Sequence, residues 1–310
     1  MSNIIKYRNG NYDVVFDLNN GTKIRCNNEN EFTPEFPESM DIKITNCCNG
    51  VNGKVCEFCH EKSTPYGEHG DIMAAKFIDT LHPYTELAIG GGNVLTHPDL
   101  ISFLNKCKKL KLIPSITVHQ EHFMDNVDML KELCDNNMIY GLGVSLSGEI
   151  NEDDDVMNEF IYQINKFPNA VVHVINGIVS MYEFSMMAYN DLKILILGYK
   201  QFGRGFDYYN SNHEHIENNK SDLYESLPEI IRDGWFEVIS FDNLAIKQLD
   251  VKRLMNDDEW LKFYMGNDGA YTMYVDCVKK QFAKSSTSTQ RYDLMGNIVD
   301  MFNVIRNEGK

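Results

Sequence analysis

The chain has 310 residues, 43% of them apolar, enough for one large core or two smaller ones. A formal net charge of −16 argues against a broad basic surface for a nucleic-acid backbone. No apolar run reaches membrane-spanning length, and residues 1–30 are polar without the apolar stretch of a signal peptide. A cytoplasmic protein is therefore expected, and its eight cysteines read as metal ligands or buried thiols, not as a disulfide framework.

Residues 12–25 alternate and are broken at Asn20-Gly21, which predicts a β-hairpin. Residues 31–40 contain Pro34 and Pro37 and read as a connector. From Asp41 a rhythm of strands and helices begins. Strands are predicted over 42–46, 87–91, 115–119, 141–146, 171–175 and 192–197. Helical stripes fill the gaps: Leu100, Phe103, Leu104 and Cys107, then Val127, Leu130 and Cys134, then Met157, Phe160, Ile161 and Ile164. This alternation predicts a parallel sheet with helices outside. Six units suit an open relative of the (β/α)8 barrel, with its chemistry at the C-terminal strand ends. The expected fold class is thus α/β, a partial (β/α)6 TIM-like barrel with an N-terminal β-hairpin and a C-terminal α+β cap.

After Tyr199 the pattern changes. Residues 201–219 are polar and glycine-containing and read as a long loop. Residues 221–232 read as a helix stopped by Gly234, 237–241 as a further strand, 271–282 as an edge strand or hairpin, and 297–305 as a last helix. The expected division is 1–40, an N-terminal extension, 41–200, the core, and 201–310, a capping region.

Three cysteines lie in the loop after the first core strand: Cys48, Cys56 and Cys59. Three thiolates from one loop can hold three irons of a four-iron cluster and leave the fourth iron open for a ligand. Two other metal chemistries compete. Cys56-Glu57-Phe58-Cys59-His60 matches the CxxCH pattern of covalent haem attachment, which normally needs export. Cys48, Cys56, Cys59 and His60 match a Cys3His zinc set, although consecutive Cys59 and His60 point in different directions. Buried reduced thiols are the bland alternative.

The loop resembles the cluster-binding loop of the radical S-adenosylmethionine (radical SAM) enzymes. Their usual spacing is CxxxCxxC after the first barrel strand, with an aromatic residue before the last cysteine. Phe58 fills the aromatic position and Cys56xxCys59 fits. Seven residues separate Cys48 from Cys56 where the family has three, and residues 50–54 look like a turn insertion carried by glycines. Cys47 is the alternative first ligand; Thr45-Asn46-x-Cys48 matches the usual strand exit.

The resemblance continues in chain order. Gly90-Gly91-Gly92-Asn93 after the second strand resembles the GGE motif, whose backbone receives the methionine ammonium group, with Asn93 near the acidic position. Its alternative is an ordinary strand-to-helix turn. By resemblance, His119 and Gln120 at the third strand end and Ser145 and Ser147 at the fourth contact the methionine carboxylate and ribose, which their donors and acceptors permit. Each taken alone better suits a strand-end polar residue without a ligand. Residues 174–177 resemble the segment that lines the adenine, through Ile175, with His173 in place of a glycine; Leu197 closes that pocket.

What the resemblance implies is an enzyme that binds a [4Fe-4S] cluster and S-adenosyl-L-methionine. In the family, SAM is reductively cleaved to methionine and a 5′-deoxyadenosyl radical, which abstracts hydrogen from a substrate, here an unidentified small molecule or peptide. An electron donor such as flavodoxin or ferredoxin is implied. The alternatives are a non-catalytic iron–sulfur or zinc-binding interaction module, and a family member that no longer cleaves SAM.

In the tail, Arg204 suits a carboxylate or phosphate clamp, or else a solvated loop charge. Cys277 suits a hydrogen-atom donor, or else a core thiol. It is the one cysteine in 201–310, so that segment holds no auxiliary cluster of its own, which argues against the peptide-modifying subgroup with a cysteine-rich extension. Phe206, Tyr208, Tyr209, Tyr264, Tyr271 and Tyr274 suit either cap packing or a pocket wall.

Overall fold

The computed structural model describes residues 4–29, 31–51, 53–146 and 154–308. Its first unit is a small antiparallel sheet of β1 (Ile4–Asn9), β2 (Tyr12–Asp17) and β3 (Lys23–Cys26), in that order. The predicted hairpin is β2–β3. Gly21 sits at φ +78°, where glycine is favoured, and donates its N–H to the Asp17 carbonyl at 2.9 Å. Strand β1 was not expected. Of its residues only Tyr7 and Asn9 are buried, too weak an alternation to read in sequence.

Tyr12, Val14 and Phe16 bury one face of this sheet in a second core with Tyr7, Phe36 and Ile113. Ion pairs fasten it to the larger sheet. Glu38, 1% exposed, accepts from Arg25 Nε at 2.8 Å and Arg25 Nη2 at 3.1 Å, and from the Tyr12 hydroxyl. A bidentate guanidinium compensates a buried carboxylate well.

The large sheet follows the order β10-β9-β8-β7-β6-β5-β4-β11-β12-β13 and is open at both edges. Its strands are β4 (Ser39–Thr45), β5 (Glu86–Gly91), β6 (Ile113–His119), β7 (Gly141–Ser145), β8 (Ala170–Ile175), β9 (Lys193–Leu197), β10 (Val238–Phe241), β11 (Thr272–Asp276), β12 (Gln281–Ala283) and β13 (Tyr292–Asp293). Neighbours from β10 through β4 to β11 pair in parallel, and β11–β12–β13 pair antiparallel. The chain is therefore α/β, and the parallel run goes two strands beyond the six expected, through β10 on one side and β11 on the other.

Alternation along each strand gives the sheet two unlike faces. Ile42, Ile44, Leu87, Ile89, Ile116, Val118, Val144, Val174 and Ile196 are buried with Phe103, Phe123, Phe160, Phe184 and Phe302 of the surrounding helices in one continuous core. The opposite face carries Asp41, Lys43, Gly90, Thr117, His119, Gly143, Ser145 and His173.

One expectation fails in the tail. Residues 201–219 are not a long loop: helix Arg204–Ser211 is followed directly by helix His213–Arg232, which absorbs the predicted 221–232 segment. Ile216, Leu223, Leu227 and Ile230 form its buried stripe, and only Ile216 falls in the misread stretch. No helix among the described residues is long and apolar enough to cross a membrane.

Candidate functional site

The cysteine loop starts where β4 ends. Cys47 N–H donates to Thr45 Oγ1 at 2.9 Å. Asn46 N–H donates to the Glu68 carbonyl and Cys48 N–H to the Thr64 carbonyl, so residues 46–48 are paired with the returning chain. The insertion closes on itself: Val51 and Lys54 exchange two backbone hydrogen bonds of 2.8 Å. Gly50, at φ +65°, could carry no side chain, because a Cβ would lie 1.9 Å from the Lys54 carbonyl oxygen. His122 Nε2 lies 3.0 Å from the Gly50 carbonyl and ties the insertion to the third strand's end.

Cys48, Cys56 and Cys59 are half-buried. Burial raises the Cys48 thiol pKa, against a 3.3 Å hydrogen bond from Gly50 N–H to its sulfur, and Cys59 raises it further. Burial pushes Cys56 up to about 11, with Cys59 and then Cys48 adding to it. The Cys47 sulfur instead lies 3.6 Å from the Pro65 carbonyl. Among the described residues no three His, Cys, Asp or Glu side chains are drawn together as a single metal ion requires. Zinc would hold its sulfurs at about 2.3 Å from one centre. His60 does not join the thiols: its Nε2 lies 3.4 Å from Glu61 Oε1. Three free thiols on one loop, one of them accepting a backbone N–H, are a donor set that a thiolate-bound cluster could use.

The glycine run lies against this loop. A Cβ on Gly91 would meet the Thr45 carbonyl oxygen at 2.3 Å, and one on Gly92 the Cys47 carbonyl oxygen at 2.2 Å. Gly92 N–H and Asn93 N–H donate to those same two carbonyls at 2.8 Å. Gly91 and Gly92 thus have a packing role that the sequence did not reveal. Gly90 differs: a Cβ there meets nothing within 4 Å among the described residues. Asn93 is buried and caps the short helix Val94–Thr96, its Oδ1 accepting from Leu95 N–H at 3.1 Å.

His119 Nδ1 accepts from Glu121 N–H at 3.2 Å, which leaves the proton of a neutral ring on Nε2. Nε2 is buried without a partner among the described residues, and burial, helped by His122, brings the His119 pKa down to about 4. Gln120 is buried beside it. The ladder sets His119, Ser145 and His173 side by side on the open face, and Ile175 beside Leu197. Phe58 and Ile175 pack on the same cluster of Ile178, Tyr199 and Ile216. Ser147 lies outside the described residues.

Sequence reasoning passed over the charges on this face. Lys43, 3% exposed, pairs with Glu61 and, at 3.2 Å, with Asp276. Asp41 is reached by solvent on this face; the surrounding protein raises its pKa and Lys200 opposes the rise. His173 is brought to about 4 by burial and then by Lys200, whose ammonium donates to Ser286 Oγ at 3.0 Å. Gly143 makes room for the His173 ring, since a Cβ there would lie 2.4 Å from its Cε1. The available signal was the alternation of Asp41, Lys43 and Thr45 with isoleucines.

Arg204 is neither an open anion clamp nor a solvated charge: its guanidinium donates to the Cys56 and Ser63 carbonyls. Cys277 is buried in the main core, and burial raises its thiol pKa to about 12.

The whole chain is similar to crystal structures of Streptococcus suis SuiB. SuiB bound to precursor peptide SuiA matches with a TM-score of 0.58 at 10% identity, over 97% of this chain and 87% of that one. SuiB bound to S-adenosylmethionine matches with a TM-score of 0.55 at 10% identity, over 100% and 88%. No family model and no curated protein matches by sequence. The likeness is one of fold: from end to end, this chain is folded as SuiB is.

Proposed function

We propose that this chain is a radical SAM enzyme. Its core, residues 41–200, is read as a partial (β/α) barrel, with residues 1–40 as an N-terminal extension and 201–310 as the substrate cap. One observation carries the reading: a three-cysteine loop leaves β4 in a chain that shares its fold, end to end, with a protein crystallised with S-adenosylmethionine. Cys48, Cys56 and Cys59 would hold a [4Fe-4S] cluster. When bound and reduced, the cluster supplies the electron that cleaves SAM and starts hydrogen abstraction from the substrate.

The chain's own residues bind and orient. Gly90 leaves its backbone open to the methionine end of SAM, the buried His119 Nε2–H offers a donor, and Phe58 with Ile175 and Leu197 forms the apolar wall for adenine. Asp41 and His173, with Lys200 near both, are the polar groups of the same face that would meet the substrate. A peptide substrate is favoured by the SuiB complex with its precursor peptide. Free thiols suit a reducing cytoplasm, where flavodoxin or ferredoxin would supply electrons.

The test is anaerobic reconstitution with iron and sulfide, followed by SAM and dithionite. About four irons and four sulfides per chain, and 5′-deoxyadenosine in the product mixture, are expected. Protein that takes up neither iron nor sulfide and leaves SAM intact refutes the assignment.

A further inference from the structure

Arg204 holds the cysteine loop at three points. Its backbone N–H donates to the Cys59 carbonyl at 3.1 Å, its Nε to the Cys56 carbonyl at 2.9 Å and its Nη2 to the Ser63 carbonyl at 3.0 Å. The flanking glycines let the two backbones meet. Gly203 sits at φ +60°, where a Cβ would lie 2.3 Å from the His60 carbonyl oxygen, and a Cβ on Gly205 would lie 3.0 Å from that of Phe58. The guanidinium therefore braces both flanks of the Cys56–Cys59 turn, itself closed by a 3.3 Å bond from Cys59 N–H to the Cys56 carbonyl.

We propose that Arg204 is a positioning residue for the cluster: its fork fixes the Cys56–Cys59 turn, and its permanent positive charge raises the potential at which the cluster accepts an electron. This rests on the reading that Cys48, Cys56 and Cys59 hold that cluster. Cluster potentials follow net charge, hydrogen bonding and exposure. A guanidinium stays charged at every working pH. Arg204 is half-buried, where solvent and salt screen charge less than at the surface. Adding an electron beside a fixed cation is favoured, so removing the cation makes reduction harder.

Two variants separate fork from charge. Arg204→Gln removes the charge, whereas Arg204→Lys keeps it but cannot span two carbonyls in one plane. Each is reconstituted anaerobically beside the wild type, checked for fold by circular dichroism, titrated redox-metrically with electron paramagnetic resonance detection, and challenged with an iron chelator. For Arg204→Gln the equilibrium constant for one-electron reduction should fall on the order of tenfold, a shift of about 59 mV to more negative potential. For Arg204→Lys the potential should stay near the wild type's, while iron is lost several-fold faster. Wild-type behaviour of both variants in potential and iron loss overturns the inference, and an equal drop in potential in both overturns its charge part. If Arg204→Gln does not fold, iron loss from Arg204→Lys at the wild-type rate is sufficient to overturn it. A wild type that takes up no iron removes the cluster reading and this inference with it, a result distinct from the others.

Discussion

Replacing Gly92 with alanine should unfold the site from behind, whereas the same change at Gly90 should leave the fold intact. An alanine methyl at 92 would lie 2.2 Å from the Cys47 carbonyl oxygen and 2.8 Å from its carbon, both backbone atoms that cannot rotate away. Relief requires moving the Cys47 peptide by about an ångström, and that peptide accepts the 2.8 Å hydrogen bond from buried Asn93. Overpacking costs about 1–3 kcal/mol, and losing the bond costs about 1 kcal/mol more. The expected loss is therefore about 2–4 kcal/mol. With an unfolding entropy of about 2.1 cal/mol/K per residue, or about 0.65 kcal/mol/K for the 310-residue chain, the melting temperature should fall by roughly 3–6 °C. A methyl on Gly90 meets no atom of the described residues within 4 Å, so Gly90→Ala should melt within about 1 °C of the wild type. Thermal unfolding of the metal-free protein by circular dichroism measures both, and anaerobic calorimetry should then show weakened SAM binding for Gly90→Ala. Equal melting temperatures for the two variants would refute the packing argument.

Three further outcomes are expected. Cys48→Ala should lose most of the reconstituted iron and Cys47→Ala should keep it, because the Cys47 sulfur is turned to Pro65, as an iron assay on the two purified variants would show. Arg25→Ala leaves Glu38 buried without its fork and should cost about 3–5 kcal/mol in urea unfolding. Burial pushes the Glu38 pKa up, but Arg25 and Lys23 outweigh it and hold it below the ordinary carboxylate value. Its stabilisation is therefore complete above the unfolded pKa near 4.3 and is lost as pH falls through the lower folded value. Denaturation curves from pH 5 downward should steepen in the wild type and flatten in Glu38→Gln.

Much of this was readable in the sequence because the core strands are short apolar alternations and the helices between them carry clear stripes. Ile42 and Ile44, or Ile116 and Val118, declare one buried face without tertiary knowledge. What escaped was non-local. Strand β11 lies parallel to β4 from the far end of the chain, and no local pattern announces such a partner. Helix Arg204–Ser211 buries only Gly205, so it has no stripe to read. The glycine run was visible, but its purpose was divided: Gly91 and Gly92 accommodate carbonyls of the cysteine loop, and only Gly90 faces open space. Asn93 was expected near the acidic position of the resembled motif, and its side-chain oxygen is engaged in capping.

The buried charges beside the loop follow the same logic as Arg204. Desolvating Lys43, Glu61 and Asp276 is expensive, and an apolar trio of equal volume would commonly be as stable, so stability does not account for them. Their connectivity does. Glu61 follows Cys59 by two residues, Lys43 precedes Thr45 on β4, and Asp276 comes from β11. The trio therefore ties the returning leg of the loop to two strands, while Arg204 ties its middle to the tail. A loop stretched by a seven-residue first gap has more freedom to lose on ordering than a shorter one. Two anchors from distant parts of the chain, Arg204 and Asp276, together with Lys43 on the adjoining strand, are what offsets that freedom.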